Sequence, residues 1–272
     1  SWGTIKLGRD LGIFESDAIL SDMTLLGVGG AGYASGTTTL GRIGLGYLYA
    51  DWNAQISYAS PNWNGFSFAV GVFDPWNSIA AGLVGDASTV VGVPDGSSPQ
   101  FQGKVSYEWA GDVSGKVWSG FIYQEFENAD EAKGFDIGAK VNVAGFGLVA
   151  SYYDGEAIGT TGFGNGAHSS VVPASGDIKG RDSDGWYVQG TYTLPNIGTK
   201  IGLSYGESNL DEASGESAPT LVKENNMWTV GVYHPLTKSL NLVAEYNKTE
   251  SENQAGDDAE SDSVSLGAIL FF

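Results

Sequence analysis

The 272-residue chain contains no cysteine. That excludes a disulfide scaffold, a thiol nucleophile and any metal centre held by thiolates. Histidine is nearly absent too, with two residues, His168 and His234. They stand far apart, and the Ser169–Ser170 pair beside His168 belongs to loop composition. A hydrolase needs a nucleophile and a base oriented by a third group, so the chain does not read as an enzyme. Basic residues number 13 against 32 acidic ones, a net charge of −19. This excludes a partner chosen through phosphate charge, nucleic acid above all. Long apolar runs are missing as well. Leu266–Phe272 is interrupted by Gly267, and nothing approaches the ~18 apolar residues of a membrane-spanning helix. Disorder is excluded by a 42% hydrophobic content with eight Trp.

What is present is alternation. Window after window places apolar residues opposite polar or small ones, as a strand with two different faces requires. In Ser263–Phe272, Val264, Leu266, Ala268, Leu270 and Phe272 oppose Ser263, Ser265 and Gly267. In Phe101–Trp109, Phe101, Val105, Tyr107 and Trp109 oppose Gln102, Lys104, Ser106 and Glu108. Phe135–Val143, Trp186–Leu194, Lys200–Gly206 and Ser239–Lys248 behave alike, and less regular windows bring the total to about twelve strands. The polar face is mostly Ser, Thr, Asn, Gln and Gly, which suits a confined wet lumen. The apolar face ends in aromatics such as Tyr107, Trp109, Trp186, Tyr205 and Tyr246, as at a membrane interface. Tight turns (Pro61–Gly65, Gly111–Gly115, Ala144–Phe146, Pro195–Thr199, Leu236–Lys238) alternate with long segments (Asp10–Trp52, Asp74–Pro99, Glu127–Lys133, Asp154–Asp184, Glu207–Asn225, Thr249–Ser261). The acids concentrate in the long ones. Short turns at one end and long loops at the other predict an all-β, transmembrane antiparallel β-barrel. No domain boundary is visible, so residues 1–272 read as one barrel domain.

Three stretches carry a family resemblance. Trp2–Asp10 (WGTIKLGRD), Phe14–Asp22 (FESDAILSD) and Asn53–Val70 (NAQISYASPNWNGFSFAV) resemble, in order and spacing, segments of the general Gram-negative outer-membrane porins. A terminal Phe272 on an alternating strand resembles their barrel-assembly signal. The resemblance is strongest over about the first 70 residues and the last ten. It implies a 16-stranded barrel, a homotrimer, and a third loop folded into the pore, here residues 10–52. If Gly3–Gly8 is the family's fifth strand, four strands are missing. These would need on the order of 60–80 further residues, and the chain is then expected to begin inside the native protein.

The resemblance places Asp17 and Asp22 in the pore loop. With Glu15 they form the expected acidic side of a constriction. The opposite reading is loop-folding hydrogen bonds by the same acids. Arg9, in the Gly-Arg pair, matches a constriction arginine of the family. Lys6 and Arg42 join it as wall bases, and alternation turns Lys104, Lys140 and Lys200 towards the lumen. One residue of slip would turn each strand lysine to lipid, where a mid-depth charge costs ~2–4 kcal/mol. Arg42 can instead pin the loop through Asp10 or Asp51. The middle of the loop, Gly27–Gly36, carries no charge. In the run Glu250–Asp262, Asp257, Asp258 and Glu260 offer hard oxygen donors to a loop-bound Ca2+. The simpler reading is a solvated acidic loop, and no other cofactor is implied.

The expected function is passive diffusion of small hydrophilic solutes and ions through an outer-membrane channel. Outer-membrane lipid and lipopolysaccharide would surround it. Net −19, mostly in loops, predicts mild cation preference. Two alternatives stand beside it: a closed outer-membrane barrel that binds partners through its acidic loops, and a soluble all-β carbohydrate-binding protein using its tryptophans.

Overall fold

The computed structural model describes residues 2–28, 41–76, 96–169 and 176–272. Through them run twelve strands in sequence order, each hydrogen-bonded to its chain neighbours in one antiparallel sheet. They are β1 (Thr4–Leu11), β2 (Trp52–Ala59), β3 (Phe66–Phe73), β4 (Gln100–Trp109), β5 (Val113–Gln124) and β6 (Ala132–Val143). There follow β7 (Phe146–Glu156), β8 (Asp182–Thr193), β9 (Lys200–Leu210), β10 (Val222–Pro235), β11 (Leu240–Asn253) and β12 (Asp258–Leu270). One short helix, α1 (Ser16–Ser21), lies between β1 and β2. β1 and β12 are the two edges of the sheet.

The alternation sorts the two faces. Leu203, Val230, Val264 and Leu266 are exposed on one, while Ser204, Thr229 and Glu245 are buried on the other. The exposed face is the apolar one, the reverse of a water-soluble sheet and the arrangement lipid requires. Aromatics band it near both ends. Trp63 stacks on Phe66 and Tyr107 on Trp109 towards the short turns, as Phe146 packs on Tyr192. Nearer the other end Trp186, Tyr205 and Trp228 form a row across β8–β10. A ~25 Å apolar band needs about 9–11 tilted residues. β10 and β11, at 14 residues each, are longer and project beyond it.

The structure corrects the sequence reading at these projecting ends. The expected loop Thr249–Ser261 is largely strand, and Glu207–Asn225 is strand at both its ends. β11 and β12 stay paired out to Glu252↔Asp258, and β9 and β10 out to Asn209↔Glu224. Alternating charges do not prevent strand pairing when a lysine lies between them: Lys248 Nζ is 2.5 Å from Glu250 and 3.4 Å from Glu260. β5 also begins at Val113, inside the expected turn. Part of the segments Gly27–Gly36, Asp74–Pro99 and Asp154–Asp184 lies outside the described residues.

Candidate functional site

After β1 the chain leaves the sheet at Gly12 and rejoins it at Trp52. Most of its described residues between these points are buried against the inner face. Three apolar contacts seat it. Phe14 and Leu48 pack with Ile122, Tyr153 and Ile158. Ala18, Ile19, Ile43 and Tyr47 pack with Tyr187, and Met23 packs with Tyr233 and Val243. Ile122, Tyr153 and Tyr187 are thus large residues on the polar face. They break its Ser/Thr/Gly character where the loop covers them.

Wall side chains then take hold of the loop backbone. Gln102 Oε1 accepts the Ile13 and Phe14 amides at 2.7 and 2.9 Å. Asp136 Oδ2 accepts the Glu15 amide at 2.7 Å, and Gln189 Oε1 the Met23 amide at 2.7 Å. Ser208 Oγ accepts from Gly46 and Glu245 Oε2 from Val28. Tyr187 OH donates to the Ala18 carbonyl at 2.8 Å. Each of these bonds satisfies a loop polar group that burial would otherwise strand. The fit is close at Gly206, where an added Cβ would strike the Leu45 carbonyl.

The charged centre of the site is Asp17, in the first turn of α1. Its Oδ2 is 2.9 Å from Lys104 Nζ and its Oδ1 2.5 Å from Lys116 Nζ. Lys104 also donates to Ser16 Oγ at 2.8 Å. Burial pushes the Asp17 carboxyl upward, but the two ammonium groups outweigh it and hold it below the usual carboxylate range. Lys140 on β6 stands directly opposite Lys116 on β5, so three lysines share this wall. Lys116 was not foreseen. Trp118 and Ile122, buried on the inner face of the same strand, obscure its alternation.

The other expected acids do not form a rim. Glu15 is fully buried. Burial, and after it the neighbouring Asp136 carboxyl, push its acid well above the ordinary value, with the Leu48 amide acting weakly the other way. Asp22 is buried and holds the loop to itself. It accepts bonds from Thr24 N and Oγ1, from the Arg42 amide and from Tyr47 OH. For Asp22 the loop-folding reading is the one the geometry supports.

Among the bases, Lys104 meets Asp17, Lys140 lies on the inner face, and Lys200 sits over the Tyr233 ring at 4.8 Å. Arg42 needs correction. It is fully buried and donates to the carbonyls of Leu45 and Met227 at 3.2 and 3.3 Å, pairing with neither Asp10 nor Asp51. It ties the loop to β10 rather than lining the lumen. Lys6, opposite Ser57, is 2.7 Å from Asp10. Arg9, three positions along the same regularly paired strand, falls on the other face opposite Ala54, and its Nε donates to the Trp52 carbonyl at 2.7 Å. Lys6 and Arg9 therefore do not line one wall together.

The calcium expectation also changes. Among the described residues no group of three acidic or histidine side chains converges as a metal site. Asp258 and Glu260 stand on β12, paired opposite Glu252 and Glu250, and Asp257 is bonded by Asn253 in the turn. Strand pairing spreads the carboxylates along a ribbon instead of folding them round an ion.

Comparison with known proteins agrees with this architecture. The outer-membrane channel DcaP of Acinetobacter baumannii superposes with a TM-score of 0.67 at 16% identity, over 98% of this chain and 72% of that one. An anion-selective porin from Comamonas acidovorans gives 0.61 at 16% identity, over 100% and 75%. OmpF of Salmonella typhi, in complex with daunomycin, gives 0.58 at 16%, over 99% and 74%. No curated protein matches the sequence. The sequence pattern of the Gram-negative porin family matches residues 1–254. With an apolar outer face, a strand meander of porin shape and a loop folded against the inner face, the chain belongs to the Gram-negative porins, passive diffusion channels of the bacterial outer membrane.

Proposed function

We propose that small hydrophilic solutes and ions diffuse through a lumen narrowed by residues 10–52, with size and fixed charge as the selecting forces. The observation that carries this is Asp17, held by Lys104 and Lys116 where the inward loop meets the wall. Opposed fixed charges at such a point set a transverse field that orients dipolar solutes. The outer rim has a different character. The projecting ends of β9–β12 carry Glu207, Glu224, Glu250, Glu252, Asp258 and Glu260. Their summed field enriches cations at that mouth, so the channel has mild cation preference overall, opposed locally by Lys104, Lys116 and Lys140. The working unit is a homotrimer with lipid, including lipopolysaccharide, against its apolar outer face.

Planar-bilayer recording of the protein from its native membrane, under a salt gradient, tests this reading. Stepwise conductance closing in groups of three, with a reversal potential on the cation side, is the expected result. A reversal potential on the anion side overturns the ion preference. Folded protein without conductance overturns the channel and leaves the closed barrel with acidic binding loops. One feature favours that second reading: bulky Trp118, Tyr153 and Tyr187 on the inner face.

A further inference from the structure

The loop roofs a cavity of about 380 Å³ at the short-turn end of the sheet, apart from the Asp17 cluster. Its lining includes Lys200, Asn241, Thr193 and the Tyr233 ring. Lys104 and Lys116 each have a carboxylate in direct contact, Asp17 for both and Glu108 as well for Lys116. Lys200 differs: among the described residues no carboxylate lies within ion-pair distance of it, and its ammonium rests over the Tyr233 ring at 4.8 Å. Asp22 also borders the cavity. Its oxygens are already taken by Thr24, Tyr47 and the Arg42 amide, so it is a poor competitor for the ammonium. An ammonium that has lost part of its water and has no carboxylate in direct contact, Asp22 acting on it only from a distance, is a strong donor to an incoming anion.

Thr193 adds a hydroxyl, and much of the remaining lining is apolar. Met23 and Leu26 hang from the loop, and Val243 and Ile269 face them from β11 and β12. Leu26 is 51% exposed, a large aliphatic surface left open beside a single cation. One positive donor beside a cluster of aliphatic side chains suits a ligand with one carboxylate and a short aliphatic body. A second carboxylate on the same ligand would meet Asp22. We propose that the Lys200 cavity is a subsite for short aliphatic monocarboxylates on their way through the channel. Its role in transport rests on the channel reading above, whereas binding itself does not.

The test is calorimetric titration of hexanoate into the protein in lipid nanodiscs, with hexanol and hexylammonium as probes of the same length. Hexanoate binds, and the neutral and cationic probes bind at least about tenfold more weakly, the worth of one charge-assisted hydrogen bond. Lys200→Met reduces hexanoate affinity about tenfold or more, and Lys200→Arg restores most of it. Lys238→Met removes the same charge from the exposed β10–β11 turn and leaves hexanoate affinity unchanged. Leu26→Asp, at an exposed side chain, sets a second carboxylate at the lining and weakens hexanoate even if Lys200→Met does not fold. Equal binding of hexanol, or hexanoate affinity insensitive to both Lys200→Met and Leu26→Asp, overturns the subsite. Chloride conductance of the same preparations separates the two readings. A conducting channel without Lys200-dependent binding loses the subsite alone. A silent barrel that binds hexanoate through Lys200 loses the channel alone.

Discussion

Asp17 touches two ammonium groups, and its removal leaves Lys104 without its counter-charge and Lys116 with only Glu108 at 3.4 Å. Asp17→Asn is therefore expected to destabilise the loop by roughly 2 kcal/mol, below the value for a fully buried pair because Lys104 keeps partial exposure. It should also move the reversal potential towards anions, measurable in the same bilayers as the wild type. Glu15 behaves oppositely. Its acid is raised in the folded state by burial and by Asp136, so folding favours the protonated form. The unfolded chain ionises above the ordinary value of ~4.5 while the folded chain resists. Stability is thus undiminished at acid pH and falls as pH rises beyond that value. Glu15→Gln should remove this decline, giving a thermal transition in heat-modifiability gels that gains on wild type as pH rises. Alternation placed Lys104 and Lys140 correctly on the inner face. It did not reveal that Glu15, Asp22 and Arg42 are buried, because a charge in a glycine-rich loop reads the same whether it faces water or is enclosed.

The strand rhythm was legible because each strand meets two media, and only period-two alternation serves both. Strand ends were not legible, since β9–β12 continue beyond the apolar band as acidic ribbons whose polar residues resemble loop. The β6–β7 turn shows what a hairpin demands. Ala144 and Gly145 both have positive φ, 49° and 86°, the two-residue turn that favours Asn-Gly. Ala144→Asn should stabilise the hairpin by about 0.5–1 kcal/mol, read as a rise in urea midpoint in vesicles. Among the outer loops, residues 127–131, 157–169 and 176–181 are joined around His168. The imidazole contacts Phe126 at 4.9 Å and the Asp130 carbonyl at 2.9 Å, and the backbones bridge at His168↔Gly180 and Ala129↔Ile178. Burial, aided by Arg181, lowers its pKa against Asp130 and Glu156. The neutral ring therefore supports the loops fully above the ordinary histidine value, and the support is lost as pH falls through the lower folded value. Protease cutting of these loops in vesicles should rise from pH 7.5 to pH 5, and His168→Gln should flatten that rise.

Across the whole molecule the charge is separated by position. Acids crowd the projecting strand ends, while lysines occupy the wall beside the loop. The long-range part of this separation is screened by salt. Between 0.1 M and 1 M the Debye length shrinks from ~10 to ~3 Å. The cation-to-anion permeability ratio should accordingly fall towards unity over that range. A ratio independent of salt would assign selectivity to close contacts at the lysine wall instead. The grip on the inward loop was invisible in the sequence, for Gln102, Gln189 and Ser208 read only as polar lining. That grip falls mainly on loop amides and carbonyls, through Gln102, Asp136, Tyr187, Gln189, Ser208 and Glu245. Main-chain groups are common to every amino acid. Exposed side chains such as Leu20 and Leu26 can therefore be exchanged without releasing the anchorage. The scaffold is an interchangeable filter mount, on which new permeability can evolve, or be engineered, one exposed loop residue at a time.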